Sequence, residues 1–191
     1  MWEALLIDGR DAGLKLYTPK VFGDERGFFS ERFKLSFLEE MGLSQVRFVQ
    51  DNYSRSAQGV LRGLHFQYAE PQSKLVTVTR GRVWDVAVDI RRDSPTFGRW
   101  ASVELSGDRP QWFWIPAGFA HGFVALSPEG ADLWYKVDAL YAPKGEGSIR
   151  WDDAELNVRW PIEAMGAAGP QLSARDLAAE DFAAYKRAPR F

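Results

Sequence analysis

The strongest β-strand pattern in the chain lies near its middle, in the stretch Lys74-Leu-Val-Thr-Val-Thr-Arg-Gly-Arg-Val-Trp-Asp-Val-Ala-Val-Asp-Ile90. Side chains on a β-strand alternate between its two faces. After Arg80-Gly81, one face is wholly apolar, and the other carries Asp85 and Asp89. This second face is therefore predicted to meet solvent or a polar cavity. Arg80-Gly81 itself is typical of a tight turn, so we predict a hairpin of two strands, residues 74–79 and 82–90.

Strand signals continue on both sides of this stretch. Short apolar runs, separated by turns rich in glycine, proline and aspartate, cover residues 4–7, 14–17, 48–54, 101–105, 111–115 and 133–137. The first two are predicted to be edge strands. Helical patterns are confined to residues 34–42, which end at a glycine, and to residues 173–186. Many short strands with little helix predict a mainly β sandwich or barrel, whose lumen can hold a ligand.

Length and composition limit the classes of protein. The 191 residues predict one domain, residues 1–191, with a substantial core. A net charge of −2 argues against nucleic-acid binding. The chain has no cysteine, which excludes disulfides and thiolate chemistry. We see no signal peptide and no apolar run as long as a membrane span, so the expected location is the cytoplasm.

One of the two histidines lies in the run Val60-Leu-Arg-Gly-Leu-His-Phe-Gln67, nine residues before Lys74. Arg62 and His65 are three apart, so an ideal strand would place them on opposite faces. Gly63 can supply a bulge that turns one of them. A histidine among fixed cations stays neutral more readily, which suits a general base. The alternative is a buried structural histidine with surface cations nearby.

The second histidine lies in the pattern Pro116-x-Gly-x-x-His121. This pattern resembles the second motif of the cupins, which are small barrels of jelly-roll type, and the resemblance implies a cupin-type jelly-roll barrel with a few short helices. Many cupins bind a metal through several histidines. Two histidines and no cysteine make a poor transition-metal shell, so we expect no metal.

A more specific resemblance covers residues 2–180. The chain is similar to the dTDP-4-dehydrorhamnose 3,5-epimerase family of nucleotide-sugar epimerases. The matching segments are residues 24–31, 50–52, 59–67, 74–76, 85–91, 94–98, 115–123, 135–136, 141, 151–153 and 172–176. The resemblance implies an isomerase that needs no cofactor, acting on a 4-keto-6-deoxyhexose linked to thymidine diphosphate. No dinucleotide or phosphate loop is visible in the sequence.

The resemblance also implies roles for individual residues. It makes His65 the base, Asp176 its paired carboxylate, Lys74 the cation beside the C4 oxygen, and Tyr135 the proton donor on the opposite face. The substrate-binding positions that it implies are Arg26, Phe28, Glu31, Gln50, Asn52, Arg62, His121, Tyr141, Glu146 and Arg175. A homodimer is expected from the family, and Arg26 or Phe28 would then contribute to the partner's site.

Alternatives remain at several positions and for the function. Ser173-x-x-Asp176 also resembles a helix capping box, and Lys74 could be a surface lysine beside an apolar strand. Arg175 stands where the family often has lysine. The competing functions are a C3-only or C5-only epimerase, a ketoisomerase of a related nucleotide sugar, a non-catalytic sugar-binding cupin, and a metal-dependent oxygenase.

Overall fold

The computed structural model describes residues 1–191 and is built mainly of short β-strands. The strands are β1 (Trp2–Ile7), β2 (Arg10–Tyr17), β3 (Val21–Asp24), β4 (Gly27–Ser30), β5 (Gln50–Ser56), β6 (Leu61–Gln67), β7 (Lys74–Arg80), β8 (Arg82–Asp89), β9 (Trp100–Ser106), β10 (Trp112–Ile115), β11 (Phe119–Ala125), β12 (Ala131–Val137) and β13 (Glu146–Ser148). The helices are α1 (Leu35–Glu40), α2 (Ala174–Leu177), α3 (Phe182–Arg187) and one 3₁₀ turn, Ile162–Met165. No helix is long and apolar enough to cross a bilayer.

Two antiparallel sheets face each other. The first has the order β1-β2-β10-β7-β12-β5, and the second has the order β13-β6-β11-β8-β9. Apolar side chains from both sheets meet between them, including Leu14, Val76 and Phe113 from the first sheet and Ala87 and Phe123 from the second. The prediction of a mainly β, cupin-type jelly-roll fold is therefore confirmed.

Each sheet is also covered on its outer face. Helix α1 and the loop after it pack Phe37, Leu38 and Met41 onto the first sheet. The chain after β13 covers the second sheet with residues such as Trp160 and Tyr185. Because both faces of the central strands are buried, their sequences read as nearly continuous apolar runs.

The edges of the two sheets differ. At one side β1 packs against β9, which closes the sandwich. At the other side the edge strands are β5 and β13. Gln50 and Asn52 of β5 and Glu146 of β13 are half-buried polar residues. Three of the predicted binding residues therefore lie on the edge strands of this second side.

Two strand predictions are wrong. Strands β7 and β8 do not form a hairpin, because β7 pairs with β10 and β12 in the first sheet and β8 pairs with β9 and β11 in the second. Gly81 carries the chain from one sheet to the other at φ +69°, where an added Cβ would lie 2.2 Å from the carbonyl oxygen of Gly130. Strand β1 is at an edge as predicted, but β2 lies between β1 and β10.

The helix predicted over residues 173–186 is two short helices. Helix α2 ends at Leu177, and the next residues form an extended bridge in which Glu180 N donates to the carbonyl of Ser148 at 3.3 Å. Asp181 then caps α3 by accepting from the N–H of Ala184 at 2.6 Å. Ser173 and Asp181 each cap the start of a helix, so the predicted helix is divided into two. The helix predicted over 34–42 is confirmed as α1, with Gly42 at φ +72° just beyond it.

Candidate active site

A bulge in β6 turns His65 into the space between the sheets. The pairing of β6 with β11 shifts between His121 and Phe123, where three steps along β6 match two along β11. Gly63 lies in this bulge at φ +143°, and an added Cβ would be 2.5 Å from the Cα of Gly122. Two glycines thus allow the strands to approach closely. The predicted bulge at Gly63 is confirmed.

His65 lies against the carboxylate of Asp176. Its Nε2 is 2.5 Å from Oδ1 of Asp176, while Oδ2 accepts from the hydroxyl of Ser173 at 2.6 Å. Burial alone would raise the pKa of Asp176, but the hydrogen bonds from His65 and Ser173 outweigh it and lower the pKa to about 2. The carboxylate therefore stays ionised and fixes the orientation of the imidazole. The predicted capping box between Ser173 and Asp176 is also present. Asp176 therefore contacts His65 and also caps the start of α2.

Lys74 and Tyr135 lie on the first sheet, opposite His65. Lys74 begins β7, and burial lowers the pKa of its ammonium to about 8, although Asp85 and Glu146 act in the other direction. Tyr135 of β12 packs against the core between the sheets, and burial raises the pKa of its phenol. Arg62 is close enough to oppose that rise. His65 thus belongs to the second sheet, and Lys74 and Tyr135 belong to the first.

His121 and Asp85 form a second histidine–carboxylate pair. His121 of β11 is the register partner of His65 in β6. Its Nε2 is 2.8 Å from Oδ1 of Asp85, a fully buried residue of β8. Asp85 is not among the predicted binding residues. The two aspartates on one face of residues 82–90 were the feature of the sequence that could have indicated it. Asp89 on the same face holds Arg91, Ser94 and Thr96, which makes it a structural residue.

A connected polar group lies beside β5 and β13. Glu146 forms an ion pair with Arg175 at 2.7 Å and accepts a hydrogen bond from the hydroxyl of Tyr141 at 2.9 Å. Gln50 accepts from the backbone N–H of Tyr141 at 3.4 Å and donates to Asn52 at 2.7 Å. Five of the predicted binding residues are therefore brought together by direct contacts.

Arg62 and His65 line one cavity. The Nε of Arg62 donates to the hydroxyl of Ser56 at 3.1 Å. A cavity of about 480 Å³ is lined by Arg62, His65, Arg175, Asp176 and five neighbouring residues. Two cations, Arg62 of β6 and Arg175 of α2, thus line the same cavity as the His65–Asp176 pair.

Three predicted binding residues lie elsewhere in the chain. Arg26, Phe28 and Glu31 belong to, or directly follow, the ribbon of β3 and β4, which is a separate two-stranded sheet. Arg26 pairs with Asp24 at 2.6 Å, Glu31 pairs with Lys34 at 2.9 Å, and Phe28 is 59% exposed. Within one chain these residues do not join the site around His65.

The chemistry of the donors does not favour a metal. No group of three or more histidine, aspartate or glutamate side chains is placed to hold an ion. Each histidine instead faces a separate carboxylate.

Comparison with known proteins identifies the family. A family model described as dTDP-4-dehydrorhamnose 3,5-epimerase matches residues 11–184. The chain belongs to this family. A dTDP-4-dehydrorhamnose 3,5-epimerase from Salmonella typhimurium is 53% identical over 165 residues, which cover 86% of this chain and 87% of that protein. The predicted family resemblance is therefore confirmed.

Solved structures in the family share the fold. The dTDP-6-deoxy-D-glucose-3,5-epimerase of Legionella pneumophila, in complex with dTDP-4-keto-L-rhamnose, matches with a TM-score of 0.85 and 49% identity, covering 95% of this chain and 93% of that chain. ChmJ, a 3'-monoepimerase from Streptomyces bikiniensis in complex with dTDP-quinovose, matches with a TM-score of 0.82 and 34% identity, covering 92% and 86%. Single and double epimerisation thus occur on the same fold.

Proposed function

We propose that this epimerase-family chain converts dTDP-4-dehydro-6-deoxy-D-glucose to dTDP-4-dehydro-L-rhamnose by inverting C3 and C5. The observation that carries the proposal is the placement of His65 and Asp176 on one side of the barrel, with Lys74 and Tyr135 on the other. A base, an oxyanion-stabilising cation and an acid on the opposite face are what inversion next to a ketone needs. The identity to the Salmonella typhimurium 3,5-epimerase supports the same reaction.

His65 begins the reaction as the base. The C4 ketone acidifies the hydrogens on C3 and C5, and the free ring nitrogen of His65 removes one of them. The electron pair of the broken C–H bond moves into an enolate, and the proton stays on the imidazole. Asp176 stabilises the imidazolium because it remains an anion with its pKa near 2. A positioned base of this kind contributes about 10²–10⁴-fold.

Lys74 stabilises the enolate oxygen. Its ammonium is influenced by charges at a distance but by no hydrogen bond within the chain, so it is free for the C4 oxygen. With a pKa of about 8 it is mostly protonated at neutral pH. A preorganised charge at an oxyanion is worth about 10²–10³-fold.

Tyr135 completes the inversion by protonating the enolate carbon from the opposite face. The raised pKa of its phenol keeps the proton in place until the enolate takes it, and the imidazolium of His65 can return its own proton to the phenolate through solvent. No redox cofactor enters this sequence, because the hydrogen leaves and returns as a proton.

The remaining predicted residues would hold the nucleotide sugar. Arg175 and Arg62 supply positive charge for the diphosphate, and Tyr141, 56% exposed, offers a ring for stacking. Gln50, Asn52 and Glu146 supply hydrogen-bonding groups at the same side of the barrel. His121 faces the sugar.

The β3–β4 ribbon supports a homodimer. It exposes Phe22, Phe28 and Phe29 on a two-stranded sheet without partners in its own chain. In a homodimer, Arg26, Phe28 and Glu31 would complete the site of the partner subunit. We further propose that residues 1–191 form one domain and that the enzyme works in the cytoplasm.

Proton NMR of the reaction in heavy water tests the function. Removing and returning protons at both carbons should place deuterium at C3 and at C5 of the product sugar. A C3-only epimerase, the alternative that the likeness to the 3'-monoepimerase ChmJ supports, would label one position, and so would a C5-only epimerase. A chain that incorporates no deuterium into this substrate would contradict the proposal.

A further inference from the structure

Asp85 is a buried carboxylate that the proposed mechanism does not use. It lies on the inward face of β8 and is 0% exposed. Its Oδ1 meets Nε2 of His121, and its Oδ2 has no hydrogen-bond partner in the chain. Burying an ionised group with one oxygen unpaired destabilises a fold. An apolar residue like its neighbours in β8 would avoid this cost, so the carboxylate points to a functional role.

The carboxylate determines which nitrogen of His121 carries hydrogen. An ionised aspartate can only accept hydrogen bonds, so Nε2 of His121 must be the protonated nitrogen. Burial lowers the pKa of His121 and outweighs the opposing effect of Asp85, while Lys74 and His65 lower it further. His121 is therefore neutral near pH 7, and its Nδ1 has a free lone pair.

The free nitrogen belongs to the same interior as the proposed base. His121 and His65 are register partners on neighbouring strands, and Lys74 lies close enough to influence the titration of His121. The side chain of His121 makes one hydrogen bond within the chain, through Nε2 to Asp85, and none through Nδ1. A ligand between the sheets would therefore meet a hydrogen-bond acceptor at this point.

We propose that Asp85 fixes His121 as its Nε2–H tautomer, so that Nδ1 accepts a hydrogen bond from a ring hydroxyl of the bound hexose. This inference rests on the proposed function, and it assigns the contact to the sugar. A diphosphate at neutral pH mostly accepts hydrogen bonds, so a neutral Nδ1 acceptor does not suit it. Asp85 is thus a positioning residue that acts through His121.

Nitrogen NMR of histidine-labelled protein reads the tautomer directly. The chain has only two histidines, so one variant, His65→Asn, assigns both signals. At pH 7 and without ligand, we expect His121 as the neutral Nε2–H form. An imidazolium or an Nδ1–H form would overturn the proposal. Because this measurement needs no turnover, it stands or falls separately from the deuterium test of the reaction.

Substitution of Asp85 tests the consequence for binding. Asp85→Asn removes the charge, and its amide can present either a carbonyl or an NH₂ group to His121. We expect a smaller Nε2–H population and a KM for the nucleotide sugar that rises about tenfold, the effect of one hydrogen bond. The Kd of thymidine diphosphate, which lacks the sugar, should not change. An equal loss for both ligands, or no loss for either, would overturn the proposal.

Asp89→Asn is the matched control. Asp89 lies on the same face of the same strand and is also 0% exposed, but it binds Arg91, Ser94 and Thr96. We expect this variant to lower thermal stability and to leave the His121 signal and the KM unchanged. A changed His121 signal in Asp89→Asn would show that any buried charge on β8 alters it, and would contradict a specific role for Asp85. Should Asp85→Asn fail to fold, the wild-type tautomer still decides the proposal.

Discussion

The two histidine–carboxylate pairs lie side by side on β6 and β11, yet their surroundings differ. The side chain of His65 is 31% exposed, and its partner Asp176 receives hydrogen bonds on both oxygens. The side chain of His121 is 8% exposed, and one oxygen of its partner Asp85 receives none. A partly exposed imidazole that is oriented by a well-satisfied anion suits the role of base that we propose for His65. A buried imidazole is held in one neutral form, which suits binding rather than proton transfer.

Substitutions of the two histidines should differ most in their effect on activity. His65→Ala should lower kcat by about 10³-fold, because the base is lost, and should leave the Kd of thymidine diphosphate nearly unchanged. His121→Gln should lower kcat/KM only about tenfold, since it removes one contact to the sugar. Steady-state kinetics and calorimetry measure both. Near-native activity in His65→Ala would show that this pair is not the catalytic one.

The next effect concerns pH. Lys74 has a pKa of about 8, so its ammonium is present below pH 8 and is lost as the pH rises through that value. We expect kcat/KM to fall about tenfold per pH unit above 8, as oxyanion stabilisation disappears. Tyr135 does not account for this limb, because burial raises its pKa above the ordinary value for a phenol.

The variant Lys74→Arg tests whether deprotonation of Lys74 causes the loss of activity above pH 8. The guanidinium stays charged at every accessible pH. The variant should be slower, because its geometry differs, and its rate should no longer fall near pH 8. A limb that stays at pH 8 in this variant would assign the titration to another group.

The smallest expected change in activity comes from removing a hydrogen bond to Asp176, which Asp85 has no counterpart for. Ser173→Ala removes the hydroxyl that donates to Oδ2 of Asp176, so the pKa of Asp176 should rise and kcat should fall a few-fold, by about the effect of one hydrogen bond. The lost N-cap should also lower the free energy of unfolding by about 1 kcal/mol. Denaturant unfolding and kinetics measure the two changes.

Asp181→Ala is the control for the stability part. Asp181 caps α3, accepting from Ala184 at 2.6 Å, and it does not contact the His65–Asp176 pair. It should lose similar stability and keep full activity. Equal activity in the two variants would mean that Ser173 acts only as a helix cap.

The predictions from sequence succeeded where the signal was local. The alternation in residues 82–90 placed Asp85 and Asp89 on one face, and the glycine in residues 60–67 indicated the bulge. The same alternation could not distinguish Asp85, which meets His121, from Asp89, which meets a loop arginine. That difference depends on which strand and which loop lie opposite each carboxylate. The ribbon residues Arg26, Phe28 and Glu31 stay predictions, because within one chain they do not reach the site around His65.

The family and the mainly β class could be predicted from the sequence alone, because strand periodicity and chemical motifs lie in neighbouring residues. The roles of the site residues stay predictions. Only the tertiary structure decided that β7 and β8 belong to different sheets, and that His65 and His121 lie next to each other with separate carboxylates. Backbone hydrogen bonds pair strands without regard to side-chain identity. Burial of both faces of every central strand then selects the partners, and residues far apart in the chain decide that burial.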